Sequence, residues 1–212
     1  MTPKATPGSL KNLLCEFLRL FYVKDWVSGT GGGICGMPSR KQVFIAPTAV
    51  HKERVRPPDF FTVDPSSGKV LKSPRNPTLR LSECSPIFCE IIRSRGAGSV
   101  MHSHALTAVL AGDLSRGGDR VVIDRFEMLK GVRGLGNMDR HLIPVIQNTA
   151  VESRLVDQIR DVFSAPEFDK TFCILVRDHG AYIWGDDVWE AKRHAEVYHF
   201  LFEGMVARSK AL

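Results

Sequence analysis

The sharpest chemical feature of the chain is a pair of histidines one residue apart, His102-Ser103-His104. In a β-strand, residues i and i+2 point to the same face, so two imidazoles there can meet one divalent ion. Short motifs of this kind have low specificity, and the ordinary alternative is two unrelated surface or capped histidines. A third histidine, His179, stands in Arg177-Asp178-His179-Gly180, where a strand ends and a glycine permits a tight turn. Three histidines would leave coordination positions open, as catalytic zinc requires. His51, His141, His194 and His199 compete for the same role. His194 and His199 fall on an expected C-terminal helix, where surface or packing roles suit them better.

A second feature is the glycine run at residues 28–33, SGTGGG. Several backbone N–H groups and two hydroxyls in such a loop can wrap a phosphate. It is neither a Walker loop, since no Gly-Lys-Ser/Thr follows, nor a dinucleotide fingerprint, since no strand precedes it. A flexible turn and a phosphate cradle fit it equally well.

Positioning these groups needs a scaffold. Leu10, Leu13, Leu14, Phe17, Leu18 and Phe21 repeat at helical spacing, and Ser9 is the expected N-cap of a helix running to about Phe21. Residues 1–8 read as a loose tail and 9–212 as a single domain. Residues around Ile34 and 42–45 read as short strands, and the Pro-rich stretch 57–80 as a surface excursion. Ser85-Pro86 opens a second helix with Ile87, Phe88, Ile91 and Ile92 on its buried face. Residues 99–103 read as a strand and 104–111 as a short helix. Further strands are expected at 120–123, 142–146, 171–176 and 181–184, with helices over 151–163 and from Asp186 or Asp187 to about Arg208. The pattern predicts an α/β layer structure with a central, mainly antiparallel sheet flanked by helices.

Composition narrows the function classes. The 212 residues are 43% hydrophobic and 25% charged, enough apolar chain for one sizeable core. The net charge of +6 is spread along the chain. A nucleic-acid binder would concentrate it in a stripe with aromatics, so no nucleic-acid partner is expected. Mild positive charge also suits an anionic, phosphorylated substrate. Five cysteines, an odd count with no Cys-x-x-Cys, argue against a disulfide framework and for a reducing compartment. The polar N-terminus lacks a secretory apolar core, and no stretch approaches 18 apolar residues, so no membrane role and a cytoplasmic location are expected.

Taken together, residues 10–209 resemble the class II aldolase and adducin family. The glycine loop, the Ala46-Pro47-Thr48 turn, the His102/His104 pair and His179 occur in that order. Five stretches carry a closer resemblance to the sugar-phosphate dehydratase branch: WVSGTGGG (26–33), IAPT (45–48), EMLKG (127–131), RDHG (177–180) and YIWG (182–185). The aldolases place a catalytic Glu at the head of the helix before the His-x-His strand. Here that position aligns with Cys84, with Glu83 a rival alignment one residue away. The dehydratase branch has Cys there and a Glu matching Glu127 as its acid/base. Its usual His-Gln before that Glu is replaced here by Arg125-Phe126.

The resemblance implies one Zn2+ per subunit on His102, His104 and His179. It implies loss of water from 5-methylthioribulose 1-phosphate to give 2,3-diketo-5-methylthiopentyl 1-phosphate, a step of methionine salvage. It also implies a homotetramer with sites near subunit boundaries. Glu127 is the expected proton-transfer residue. An apolar setting among Phe126, Met128 and Leu129 would raise its pKa by desolvation, whereas a nearby zinc would lower it. Cys84, before a helix start that favours thiolate, is an expected substrate contact, with a buried structural cysteine as the alternative. The phosphate is expected at Ser28, Thr30 and Gly31, with Thr48, Ser82 and Lys130 as weaker candidates. The rivals are an aldolase or epimerase of the same family and a non-catalytic, adducin-like interaction protein.

Overall fold

The computed structural model describes residues 6–211. Leu10, Leu14, Phe17, Leu18 and Phe21 are buried along one face of helix α1 (Pro7–Val23), as their spacing predicts. Its start differs from expectation. Thr6, not Ser9, is the N-cap, with its hydroxyl accepting from the Ser9 N–H and Pro7 in the first turn. A proline there has no N–H to leave unsatisfied, so the helix begins earlier than Ser9. Of the expected tail, Pro7 and Gly8 are thus helical, and residues 1–5 lie outside the described residues.

The chain continues through β1 (Gly33–Ser39), β2 (Gln42–Ile45), the short β3 (Pro47–Thr48), β4 (Phe61–Val63), β5 (Val70–Lys72) and β6 (Arg80–Leu81). Next come α2 (Ser85–Arg95), β7 (Ser99–Ser103), α3 (Leu106–Asp113), β8 (Arg120–Asp124) and β9 (Arg140–Ile146). The chain ends with α4 (Leu155–Ser164), β10 (Cys173–Val176), β11 (Gly180–Gly185) and α5 (Val188–Lys210). Residues 57–80 are more than a surface excursion. All three residues of β4 are buried, and the strand pairs with β2 inside the main sheet. Prolines on either side hid this strand from a reading based on composition.

Nine strands form one sheet in the order β5-β4-β2-β1-β7-β11-β10-β9-β8. The neighbours pair antiparallel except β9 and β10, which run parallel. Helices α1, α3 and α5 cover one face, with Phe17, Ala108, Tyr198 and Phe202 in its core. Helices α2 and α4 cover the other, around Phe88, Ile159, Tyr182 and Trp184. Burial of both faces explains why the central strands β7, β10 and β11 are buried throughout rather than alternating. No described helix is long and apolar enough to cross a membrane.

Two registers place the chemistry. His102 on β7 lies opposite Gly33 of β1 and Tyr182 of β11. The antiparallel β10–β11 hairpin turns at residues 177–179, so His179 emerges at the same end of the sheet. Gly180 makes this possible. A Cβ there would lie 1.9 Å from the Ser103 carbonyl oxygen, at a φ of +150°. Only glycine lets the hairpin press against the end of β7.

Candidate metal centre

Three imidazoles converge at that sheet end. The Nε2 atoms of His102 and His104 are 2.8 Å apart, those of His102 and His179 3.2 Å, and those of His104 and His179 3.1 Å. Nitrogens on one tetrahedral ion with bonds of about 2.0–2.1 Å would sit roughly 3.3 Å apart. The ring planes stand 75–79° from one another, so the rings meet by their edges and do not stack. His104 lies just beyond β7, anchored by its N–H to the Trp26 carbonyl at 2.8 Å.

The other ring nitrogens hold this arrangement. His102 Nδ1 lies 3.1 Å from the Ala181 carbonyl and donates to it, which leaves Nε2 free as a ligand. His179 Nδ1 does the same with Asn148 Oδ1 at 3.2 Å. Tyr182 stacks flat on His102, with centroids 4.0 Å apart and planes 4° from parallel. Burial lowers the pKa of all three: His102 well below its ordinary value, His104 to about 4, and His179 to a smaller extent. Neutral imidazoles with converging lone pairs are the donor form a divalent metal needs. The three therefore form a group fit to hold one.

A second set of donors adjoins the first. The ligand atoms of Cys84, His102 and Glu152 all lie within 4.8 Å of one another. Glu152 Oε1 is 3.6 Å from His179 Nε2, and its Oε2 is buried without a hydrogen-bond partner. Cys84 caps α2, but the expected thiolate is not favoured there. Desolvation first, and then the neighbouring Glu152 carboxylate, push the thiol far above its ordinary pKa. A helix end contributes only about 0.3–1 kcal/mol in typical settings, too little to offset burial next to a negative charge.

The glycine loop abuts this centre. A Cβ on Gly31 would lie 2.5 Å from His104 Nδ1, so only glycine lets the loop approach the ring so closely. Ser28 and Thr30 are exposed. The β3–β6 ladder pairs Thr48 with Arg80 and so brings it beside the segment of Ser82 and Cys84. Ser82 is buried, and its hydroxyl accepts from the Cys84 N–H at 3.2 Å.

Glu127 and Lys130 are not at this end. They pair with each other on an exposed 3-10 turn (Glu127–Gly131) that follows β8. Asp124 of β8 lies opposite Arg140, at the start of β9, whereas Ile146 at its end lies beside Val176 and the His179 turn. The length of β9, about 20 Å at the rise of a strand, therefore separates them from the histidines. The apolar setting expected around Glu127 is also absent. Its side chain is 70% exposed, and hydrogen bonds from Lys130 and then Asn137 hold its pKa below the ordinary value.

Sequence reasoning missed Lys52, Asn148, Glu152 and Tyr182. Lys52 is buried, and its ammonium donates to the Thr30 carbonyl at 2.7 Å. Its sequence context, His-Lys-Glu-Arg, reads as solvated charge. Asn148 and Glu152 occupy the connection after β9, where no periodic signal exists. Tyr182 fell within a recognised stretch, but only the strand register shows it beneath His102. The remaining buried histidines pack. His141 bonds the Tyr198 hydroxyl at 2.9 Å, His194 the Trp184 carbonyl at 2.7 Å, and His199 the Ser103 hydroxyl at 2.7 Å.

Residues 12–206 match the family model described as the class II aldolase and adducin N-terminal domain. The chain is 36% identical to the methylthioribulose-1-phosphate dehydratase of Gallus gallus, over 91% of this chain and 81% of that one. It is 35% identical to a bifunctional methylthioribulose-1-phosphate dehydratase/enolase-phosphatase of Arabidopsis thaliana, over 92% of this chain. It spans 40% of the length of that plant relative. Among solved structures, an L-fuculose-1-phosphate aldolase from Thermus thermophilus superposes with a TM-score of 0.69 at 18% identity, covering 96% of this chain and 97% of that one. At that identity the likeness speaks for the fold alone, whereas the dehydratases match at twice the level. The chain belongs to the class II aldolase and adducin family, on the branch that holds the methylthioribulose-1-phosphate dehydratases.

Proposed function

We propose that the protein is a zinc-dependent hydro-lyase that removes water from 5-methylthioribulose 1-phosphate in methionine salvage, giving 2,3-diketo-5-methylthiopentyl 1-phosphate. The observation that carries this reading is the convergence of three neutral imidazoles beside the glycine loop, with the protonated Cys84 at the head of α2. The 36% identity with the Gallus gallus dehydratase supports the choice of reaction.

His102, His104 and His179 would hold the ion, with Ala181 and Asn148 fixing the tautomers of His102 and His179. A zinc ion held there would supply Lewis acidity, which would acidify the proton on C3 of the ketose. The chain must then move one proton. The C3–H bond breaks, the hydroxyl on C4 leaves as water, and the resulting enol rearranges to the second ketone. Glu127 suits this cycle. Lys130 and Asn137 keep it a carboxylate, so it starts as the base, and the proton it takes from C3 goes to the leaving hydroxyl. Glu127 then returns to its starting form. Because β9 separates it from the histidines of its own chain, a second copy supplies it, and the homotetramer is the working unit. Cys84, Ser82 and Thr48 line the substrate side, with Ser28, Thr30 and Gly31 at the phosphate. The five free cysteines suit a cytoplasmic enzyme.

The test is product analysis on metal-quantified protein. We expect about one zinc per chain and a diketone phosphate. A two- or three-carbon fragment would assign aldol cleavage instead, and an inactive protein that stays metal-free would assign an adducin-like scaffold. Glu127→Gln is expected to keep zinc and to lose about 10²–10⁴-fold in kcat. Near wild-type turnover of the zinc-loaded variant would remove Glu127 from the mechanism.

A further inference from the structure

Lys52 is almost completely buried, at 2% exposure. It opens a short 3-10 turn (Lys52–Arg54) shortly after β3. Its ammonium donates to the Thr30 carbonyl at 2.7 Å and to the Val50 carbonyl at 3.3 Å. Both partners are neutral, and an ammonium has three N–H groups to place. Among the described residues no carboxylate forms an ion pair with it. Glu152 and Cys84 are the acidic groups whose charge reaches it, and the thiol is held protonated. A buried cation without a paired anion is strongly unfavourable, so proteins keep one where a counter-charge arrives.

Its location says which counter-charge. Thr30 belongs to the glycine loop, and the next residue, Gly31, stands against His104. The Lys52 charge reaches His102 and His104, helping to lower their pKa. The ammonium therefore stands behind the glycine loop and beside the metal centre, where Glu152 is a carboxylate whose charge reaches it without forming an ion pair. A dianionic phosphate group is the anion that fits a cation joined to a glycine loop.

We propose that Lys52 is a phosphate-binding residue of this site, the buried counter-ion of the substrate's phosphate, and that through Thr30 it ties the glycine loop to the same anion. This rests on the proposed function only in taking the substrate to be phosphorylated. Removing the charge weakens phosphate binding, and removing only the hydrogen bonds would loosen the loop.

Lys52→Gln separates the two, since its amide keeps two N–H donors for Thr30 and Val50 and loses the charge. On metal-loaded protein, inorganic phosphate binding measured by calorimetry is expected to weaken at least about tenfold in Lys52→Gln, as loss of a charge-assisted bond predicts. Lys52→Arg is expected to recover part of it. KM for the phosphorylated substrate should rise with it. Phosphate affinity within twofold of wild type in Lys52→Gln would overturn the proposal and leave Lys52 a structural pin. The binding readout does not need turnover. A protein that fails to dehydrate the substrate yet binds phosphate through Lys52 would refute the proposed reaction and keep this inference. Zinc content and melting temperature check the fold of the variant. Should Lys52→Gln not fold, the wild type still answers: the Lys52 Nζ resonance in ¹⁵N-lysine-labelled protein should shift on phosphate saturation, and an unmoved resonance would overturn the proposal.

Discussion

The two ends of β9 are built on opposite principles. At the His179 end the polar groups are enclosed, each imidazole is oriented by a carbonyl, an amide or a close glycine, and burial keeps the rings neutral. At the Glu127 end the carboxylate stands in solvent, held only by Lys130 and Asn137. The first end is organised within one chain because a metal tolerates little error in ligand placement. The second end lies the length of β9 away from the histidines of its own chain. On the proposed function, one subunit would make the binding centre and a second copy would supply the carboxylate.

The sharpest way to break this contrast is complementation. His179→Ala is expected to lose most of its zinc and at least about 10³-fold in activity, because two remaining imidazoles do not make a catalytic site. Glu127→Gln is expected to be inactive with zinc in place. Mixed assemblies of the two inactive proteins should regain activity, since some sites would combine intact histidines with an intact carboxylate. No recovery in verified mixed assemblies would mean that each chain serves itself. A smaller effect is expected from Asn148→Ala. Losing the acceptor that orients His179 should weaken zinc about 10–100-fold, read by competition with a chelator. Unchanged affinity would mean that the turn alone positions the ring. The smallest effect concerns pH. Lys130 holds the Glu127 pKa below its ordinary value, so the base form persists to lower pH. Lys130→Met should raise that pKa, and the acid limb of the kcat/KM profile should move to higher pH by less than about one unit. A shift to lower pH, or none, would show that Lys130 does not set the charge of Glu127 in the assembly.

Much of the scaffold was legible because periodicity is local. The apolar spacing of α1 and the buried run of β10 each report their own neighbourhood. The His102/His104 pair was legible for the same reason, as an i, i+2 relation within one segment. Legibility failed where the information was relational. Whether Glu127 reaches His179 depends on β9 pairing parallel to β10 and antiparallel to β8, which no short window encodes. Lys52 went unnoticed because its hydrogen bond is made 22 positions earlier in the chain, to the Thr30 carbonyl of the glycine loop. Cys84 was placed correctly at a helix start, but its protonation turned on burial first and then on Glu152, far away in sequence. The strand at 61–63 was hidden because prolines around it outweighed three apolar-facing positions.

The parallel pairing of β9 with β10 would also act as a ruler for the proposed assembly. One rigid strand joins the turn that carries the carboxylate to the connection that carries Asn148 and Glu152. In the proposed assembly, what a subunit would lend to its neighbour and what it would keep for itself are therefore held at a fixed span. An insertion of one residue in β9 would move one end by about 3.3 Å relative to the other and turn its side chains over. Each chain could still fold and keep its three histidines together, while in the proposed tetramer every lent carboxylate would miss its target by the same step.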